Sequence, residues 1–284
     1  MDKFSKYNPK ATLLYFVCII TATLILFNPI YLSISLISSL CYKLMSDGLI
    51  KTINTLKFAL PFIILIALFN MLFVSKGATV LFTAFDRSFT FEALFYGICQ
   101  GVLFNSVIIW FSCYNTVVSA EGFIAIFGKI SPNISLVFSM TLTFIPRLRK
   151  NLNEIIDARS LVDTKQSKLK SAIENLSALI TMTLEESIET AESMKARGFN
   201  NKRTVYSKYR FSFSDGVLIA VEIILLLSVI IVKALGKALF IYEPIITMPN
   251  VSIIGVISFA VLAFIPSILD ALENIRWHLL RQKI

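Results

Sequence analysis

The sequence predicts an all-α integral membrane protein with about six transmembrane helices and a cytoplasmic pair of long amphipathic helices. Three observations carry that prediction. First, hydrophobic residues make up 56% of the 284 positions and charged residues only 16%, with a mean hydropathy of +0.75. A soluble domain of this length could not hide that much apolar surface, so lipid is part of its solvent. Second, the 27 lysines and arginines gather at the ends of apolar runs, as membrane topology requires. Third, one polar island, residues 146–210, interrupts the apolar runs.

The N-terminal ten residues are short and basic, with Lys3, Lys6 and Lys10. Residues 11–27 form the first apolar run. It has no small-residue cleavage site and leads straight into further spans, so no cleavable signal peptide is expected. Asn28-Pro29 is a tight break, and residues 29–45 make the second run, expected to fold back on the first as an antiparallel hairpin. The third span is expected at 58–74, with Pro61 near its start; neighbouring helices can satisfy the carbonyl that a proline frees. Residues 75–90 read as a polar connection and 91–118 as a long fourth span. Gly97 and Gly101 in this span form a Gly-x-x-x-Gly pair, which permits close helix contact. Two uses stay open: contact with a partner subunit, or packing inside the chain.

Residues 121–145 are apolar but broken by Gly128, Lys129 and Pro132, and read as a helix along the interface or under the bundle. The last two spans are expected at 217–232 and 251–269. The chain thus divides into N-terminal transmembrane helices (1–119), a cytoplasmic or interfacial region (120–210) and C-terminal transmembrane helices (211–284). Six spans put both termini on one side. With the N-terminus in the cytoplasm, three Lys and Arg precede the first span, and three, Lys43, Lys51 and Lys57, mark the boundary from the end of the second run to the third. Fourteen fall between 121 and 216, and three close the chain. Only Lys76, Arg87, Lys233 and Lys237 fall outside. The positive-inside rule therefore places the polar island in the cytoplasm.

Within the island two helices are expected. The first starts at Pro146, a good first-turn residue, with Ile145, Leu148, Leu152, Ile155 and Ile156 on one face. The second carries Leu169, Ile173, Leu176, Ile180, Leu184, Ile188, Ala191 and Met194 at helical spacing, and Glu174, Glu185, Glu186, Glu189 and Glu192 off that stripe. Asp163 to Ser167 reads as a turn between them. A small pattern occurs twice at their ends: Ala158-Arg159-Ser160, then Ala196-Arg197-Gly198. Gly198 is a natural left-handed terminator, which puts Arg197 in the last turn. Small residues let a partner surface approach, and a guanidinium offers a forked donor to a carboxylate. The plainer alternative is two basic helix ends near anionic lipid.

Several functions are excluded. Cys18, Cys41, Cys99 and Cys113 sit inside apolar runs with no metal-ligand spacing. No catalytic cluster is present. His278 lies in the C-terminal tail, and Glu222, the one acid well inside a span, lies within two turns of its start, close enough that it could reach the interface. Gly128-Lys129 and Gly236-Lys237 are followed by the wrong residue for a phosphate loop, so ATP is not bound by this chain. No basic groove interleaved with aromatics suggests nucleic acid.

The doubled arginine ends, together with the preceding stretch MTLTFIPRL at 140–148, resemble the transmembrane coupling subunit, or T component, of energy-coupling factor transporters. The resemblance covers about residues 8 to 270. It implies a multi-pass subunit of the bacterial plasma membrane that serves uptake of a vitamin or other micronutrient. It also implies two cytosolic ABC ATPase subunits that hold ATP and magnesium, a small membrane substrate-binding S component, and no cofactor on this chain. By that resemblance Ala158, Arg159 and Ser160 engage one ATPase and Ala196, Arg197 and Gly198 the other, while the apolar stripes of these coupling helices form a floor for the S component. Ser160 departs from the family pattern, which has Gly there. A conventional ABC importer permease is the main alternative, but Ala120-Glu121-Gly122 with Gly128 matches its loop only loosely. Another multi-pass carrier would show two related halves, and a membrane enzyme would show clustered acids or histidines; neither occurs.

Overall fold

The computed structural model describes residue 4 and residues 7–74, 77–84, 87–128, 132–161, 167–199, 211–242, 246–247 and 251–281. Lys3, Lys6, Lys76, Lys129, the expected turn from Asp163 as far as residue 166, and the end of the island at 200–210 lie outside these. Nine helices and one hairpin are described: α1 (Pro9–Ile25), α2 (Pro29–Asp47), α3 (Leu49–Phe73), β1 (Val80–Ala84), β2 (Arg87–Thr90), α4 (Phe91–Val117), α5 (Ala120–Gly128), α6 (Pro132–Ser160), α7 (Lys168–Ala196), α8 (Phe213–Ala234) and α9 (Ile253–Arg281). They form two compact units. One joins 1–119 with 209–284, so the first and last sequence regions fold together; the other is 120–208.

In the first unit, α3, α4, α8 and α9 are long and apolar enough to cross a membrane, and α1 is a shorter apolar helix. Helix α2 has the length but not the hydropathy, because it carries five serines, and its reason is internal. Ser35, Ser38 and Ser39 are buried; the Ser35 hydroxyl accepts from the Trp110 indole at 3.1 Å and lies 3.1 Å from the Thr23 hydroxyl. Lys43, also buried, donates to Ser112 at 2.7 Å. The helix is therefore a polar-cored post packed chiefly on α4 and α9. It meets α1 near the turn, through Thr23 and Ser35, and toward its far end Tyr42 meets Phe4, which precedes α1.

Capping sets the helix starts. Asn8 and Asn28 each accept from the amide two residues on, at 3.1 Å, with proline following at the first helical position. Asp215 accepts from the Ser212 amide at 2.8 Å and from the Asn8 amide at 3.1 Å, which ties the start of α8 to the start of α1. Pro266 lies inside α9 and removes the donor for the Leu262 carbonyl. The Tyr15 hydroxyl of α1 supplies one, at 3.2 Å, as buried helix bundles require.

Four expectations change. The third helix begins at Leu49, nine residues before the expected 58, so Pro61 is interior. The connection at 75–90 holds an antiparallel hairpin pairing Val80 with Thr90 and Thr83 with Ser88; its Val, Phe and Thr content favours strand. Glu92 anchors that hairpin by accepting from the Thr79 amide at 3.1 Å. Glu222 does not reach an interface: it is fully buried, near Tyr15 and Cys18 of α1, and neither carboxylate oxygen has a hydrogen-bond partner among the described residues. Pro146 does not start a helix. It is interior to α6, which runs unbroken from Pro132, and α6 has no stretch apolar enough to count among the spans.

Candidate functional site

The site lies in the second unit, on α6 and α7. Each is 29 residues long, about 43 Å. They run antiparallel, and two cross-links fix the register. Arg147 of α6 pairs with Glu186 of α7 at 3.2 Å. Arg159 reaches α7 with both arms of its guanidinium: Nη1 donates to Asn175 Oδ1 at 2.8 Å, and Nη2 contacts the Glu174 carboxylate. The twelve residues between the arginines match the twelve between the glutamates, so the helices stay in step for roughly 18 Å.

The face by which α7 meets α6 is thus mostly polar from Ser171 to Glu186: Ser171, Glu174, Asn175, Leu179, Thr183 and Glu186 are the half-buried or buried positions there, followed by Met194 near the C-terminal end. The apolar stripe of α7 turns away from α6 as far as Ile188, and its last members, Ala191 and Met194, line the cleft described below. Leu169, Ile173, Leu176, Ile180, Leu184 and Ile188 are between 51% and 79% exposed. Soluble monomers rarely leave contiguous apolar patches above a few hundred Å² uncovered, and six large side chains along one helix face make such a patch. On α6 the expected stripe splits. Leu148, Leu152 and Ile155 are half-buried, while Ile145 and Ile156 are exposed.

Between the N-terminal half of α6 and the C-terminal half of α7 lies a cleft of about 570 Å³, walled by Val137, Met140, Phe144, Ala191 and Met194. Four of its five hydroxyls turn back on their own helices. Thr141 donates to the Val137 carbonyl, Thr143 to Ser139, Ser187 to Thr183 and Thr190 to Glu186. The cleft therefore presents mostly methyl and methylene surface.

The two arginine ends differ. Gly198 has φ +78° and closes α7 by a paired cap: the Phe199 amide donates to the Met194 carbonyl at 3.1 Å and the Gly198 amide to Lys195 at 3.0 Å. Arg197, at the cap, is exposed and makes no ion pair or side-chain hydrogen bond among the described residues; Ala196 ends the helix beside it. Ser160 is the last helical residue of α6, and its hydroxyl donates to the Asp157 carbonyl at 2.7 Å. There Arg159 is half-buried against α7, next to exposed Ala158. The antiparallel register puts the two arginines at opposite ends of the pair, about 35 Å apart along α7.

Gly97 and Gly101 sit within the first unit, against α3. A Cβ on Gly97 would lie 2.8 Å from Ala67 Cα, and one on Gly101 3.0 Å from Ile63 Cα. One turn further, Asn105 donates to the Ala59 carbonyl at 3.2 Å, and Asn70 to Gln100 at 3.2 Å. The glycine face of α4 is thus occupied by α3. Among the described residues no group of three or more His, Cys, Asp and Glu could hold a metal ion. The Arg159 clamp was not foreseen, although Glu174 and Asn175 lie on the polar side of a visible amphipathic pattern.

No family model matches the chain. Among curated proteins it is similar to the energy-coupling factor transporter transmembrane protein EcfT of Brevibacillus brevis, 24% identical over 246 residues, which covers 78% of this chain and 90% of that protein.

Proposed function

We propose that this chain is the transmembrane coupling subunit of an energy-coupling factor importer. The observation that carries the reading is the antiparallel pair α6–α7, with a glycine-capped tip whose guanidinium has no partner among the described residues, and a large exposed apolar face. The similarity to an energy-coupling factor transmembrane protein along most of both chains supports it. In this reading α1, α2, α3, α4, α8 and α9 are six spans with both termini in the cytoplasm, as the charge distribution requires. Two cytosolic ABC ATPases bind and hydrolyse ATP with magnesium. One docks on the α7 tip at Ala196, Arg197 and Gly198, the other on the α6 end at Ala158, Arg159 and Ser160. The apolar stripe of α7 and the methyl-lined cleft receive a small S component, which chooses the vitamin or micronutrient.

The chemistry follows from the geometry. A guanidinium at a rigid cap offers two parallel donors to a carboxylate, and a 43 Å helix transmits movement of that end along its length. The test is affinity purification of the tagged chain from native membranes, with the co-purifying subunits identified. Two ATPases and a small hydrophobic protein are expected, and replacing Arg159 and Arg197 together with Glu should release the ATPases and abolish uptake. Retained ATPases and normal uptake in that double variant would falsify the coupling role. The purified chain alone should neither hydrolyse ATP nor carry a solute.

A further inference from the structure

We infer that the two arginine ends are not equivalent: Arg159 is a positioning residue that locks α7 to α6, and Arg197 is the arginine left to grip a partner. The inference rests on the coupling role proposed above and divides its labour. Both guanidinium arms of Arg159 are engaged within the chain, one by the Asn175 amide oxygen and the other by the Glu174 carboxylate. Asn175 is buried, and Arg159 and Glu174 are each about one-third exposed. A partner carboxylate reaching for Arg159 would have to displace Glu174 and strip a buried amide of its donor, an unfavourable exchange. Arg197 carries the same forked chemistry with no acceptor among the described residues to displace.

The position of the clamp gives it a task. It joins the last turn of α6 to the first turns of α7 at the bend of the hairpin, while Arg147–Glu186 holds the pair twelve residues away. Two cross-links in register set how the rods cross, and hence where the free tip at Arg197 points. Cutting the clamp leaves a single cross-link about which α7 can swing. The partner at the α6 end then meets Ala158, Ser160 and the strongly exposed Leu161, a small and apolar surface rather than a charge.

Charge exchange separates positioning from direct contact. The full-length chain is purified in lipid nanodiscs for hydrogen exchange and, in parallel, from native membranes for ATPase capture. Arg159→Glu and Glu174→Arg should each raise amide exchange at 171–176 and reduce ATPase capture by about tenfold. The combined exchange should restore protection and return capture to within about threefold of the parent. Arg159→Lys, which keeps the pair with Glu174 and loses the fork to Asn175, should fall between. Arg197→Glu should abolish capture at its own tip without changing exchange at 171–176, and Glu174→Arg should not rescue it. Unchanged protection in Arg159→Glu overturns the inference, as does a combined variant that folds yet captures no better than Arg159→Glu. A parent chain that captures no ATPase overturns the coupling role and this inference together, whereas parental capture with no rescue overturns this inference alone.

Discussion

Replacing Gly97 with alanine sets two effects of known size against each other. In a helix interior alanine is favoured over glycine by about 1 kcal/mol, so an exposed site should gain stability. At Gly97 the added methyl would lie 2.8 Å from both Ala67 Cα and Asn70 Cβ. Carbon atoms are comfortable at about 3.5–4.0 Å, so α3 and α4 must part by most of an ångström. The nearest atom is backbone, which no rotamer change relieves, and overpacking of this kind costs about 1–3 kcal/mol. The clash should win, leaving Gly97→Ala less stable by about 1 kcal/mol. Gly101→Ala, whose methyl would lie 3.0 Å from Ile63 Cα, should be slightly milder. Gly216→Ala is the control: its methyl would meet only the Phe211 ring at 3.6 Å, ordinary contact, and it should be neutral or stabilising. The assay is thermal denaturation of the purified chain in one fixed detergent. If Gly97→Ala melts as high as Gly216→Ala, α3 does not occupy that face, and the pair becomes available to a partner.

Other substitutions probe the bundle and the helix pair. Glu222→Met replaces a fully buried carboxyl with no hydrogen-bond partner among the described residues and should raise stability by about 1–3 kcal/mol in the same melts; marked destabilisation would reveal a partner. Asp215→Ala removes the acceptor for the Ser212 and Asn8 amides and should cost about 1–2 kcal/mol. Ile188→Asp lies on the exposed α7 stripe, so the melting point of the chain should move by no more than about 0.5 kcal/mol equivalent. Co-purification of the small membrane partner should nonetheless fall by tenfold or more, roughly the loss on deleting an interface anchor. An unchanged partner yield would remove the stripe from the interface.

Helix order was legible because apolar runs and their basic boundaries are long, collective signals. The α7 terminus was legible from a single residue, since only Gly198 relieves the strain of a left-handed cap at φ +78°. What escaped the sequence has identifiable causes. Pro146 reads as a helix start by its local preference, yet α6 passes through it, because an interior proline forfeits only one backbone bond. The hairpin at 80–90 was hidden among polar and apolar residues of a segment too short for periodicity to decide. Glu222 looked close enough to a span end to reach water; which side of α8 faces α1 is set by packing, and the linear sequence does not contain it.

The α7 stripe carries the broader argument. An apolar face at helical spacing states that something must cover it, not what does. In a soluble bundle the neighbouring helix covers it, and the polar face meets water. Here the polar face of α7 meets α6, through Arg147–Glu186 and Arg159–Glu174, and the six-residue apolar face stays exposed. That inversion has a thermodynamic consequence. Half-exposed ion pairs contribute little net stability, so α6 and α7 are held in register by directional contacts while the larger hydrophobic term remains unrealised within the pair. A helix pair built this way gains most of its stability from whatever covers that face.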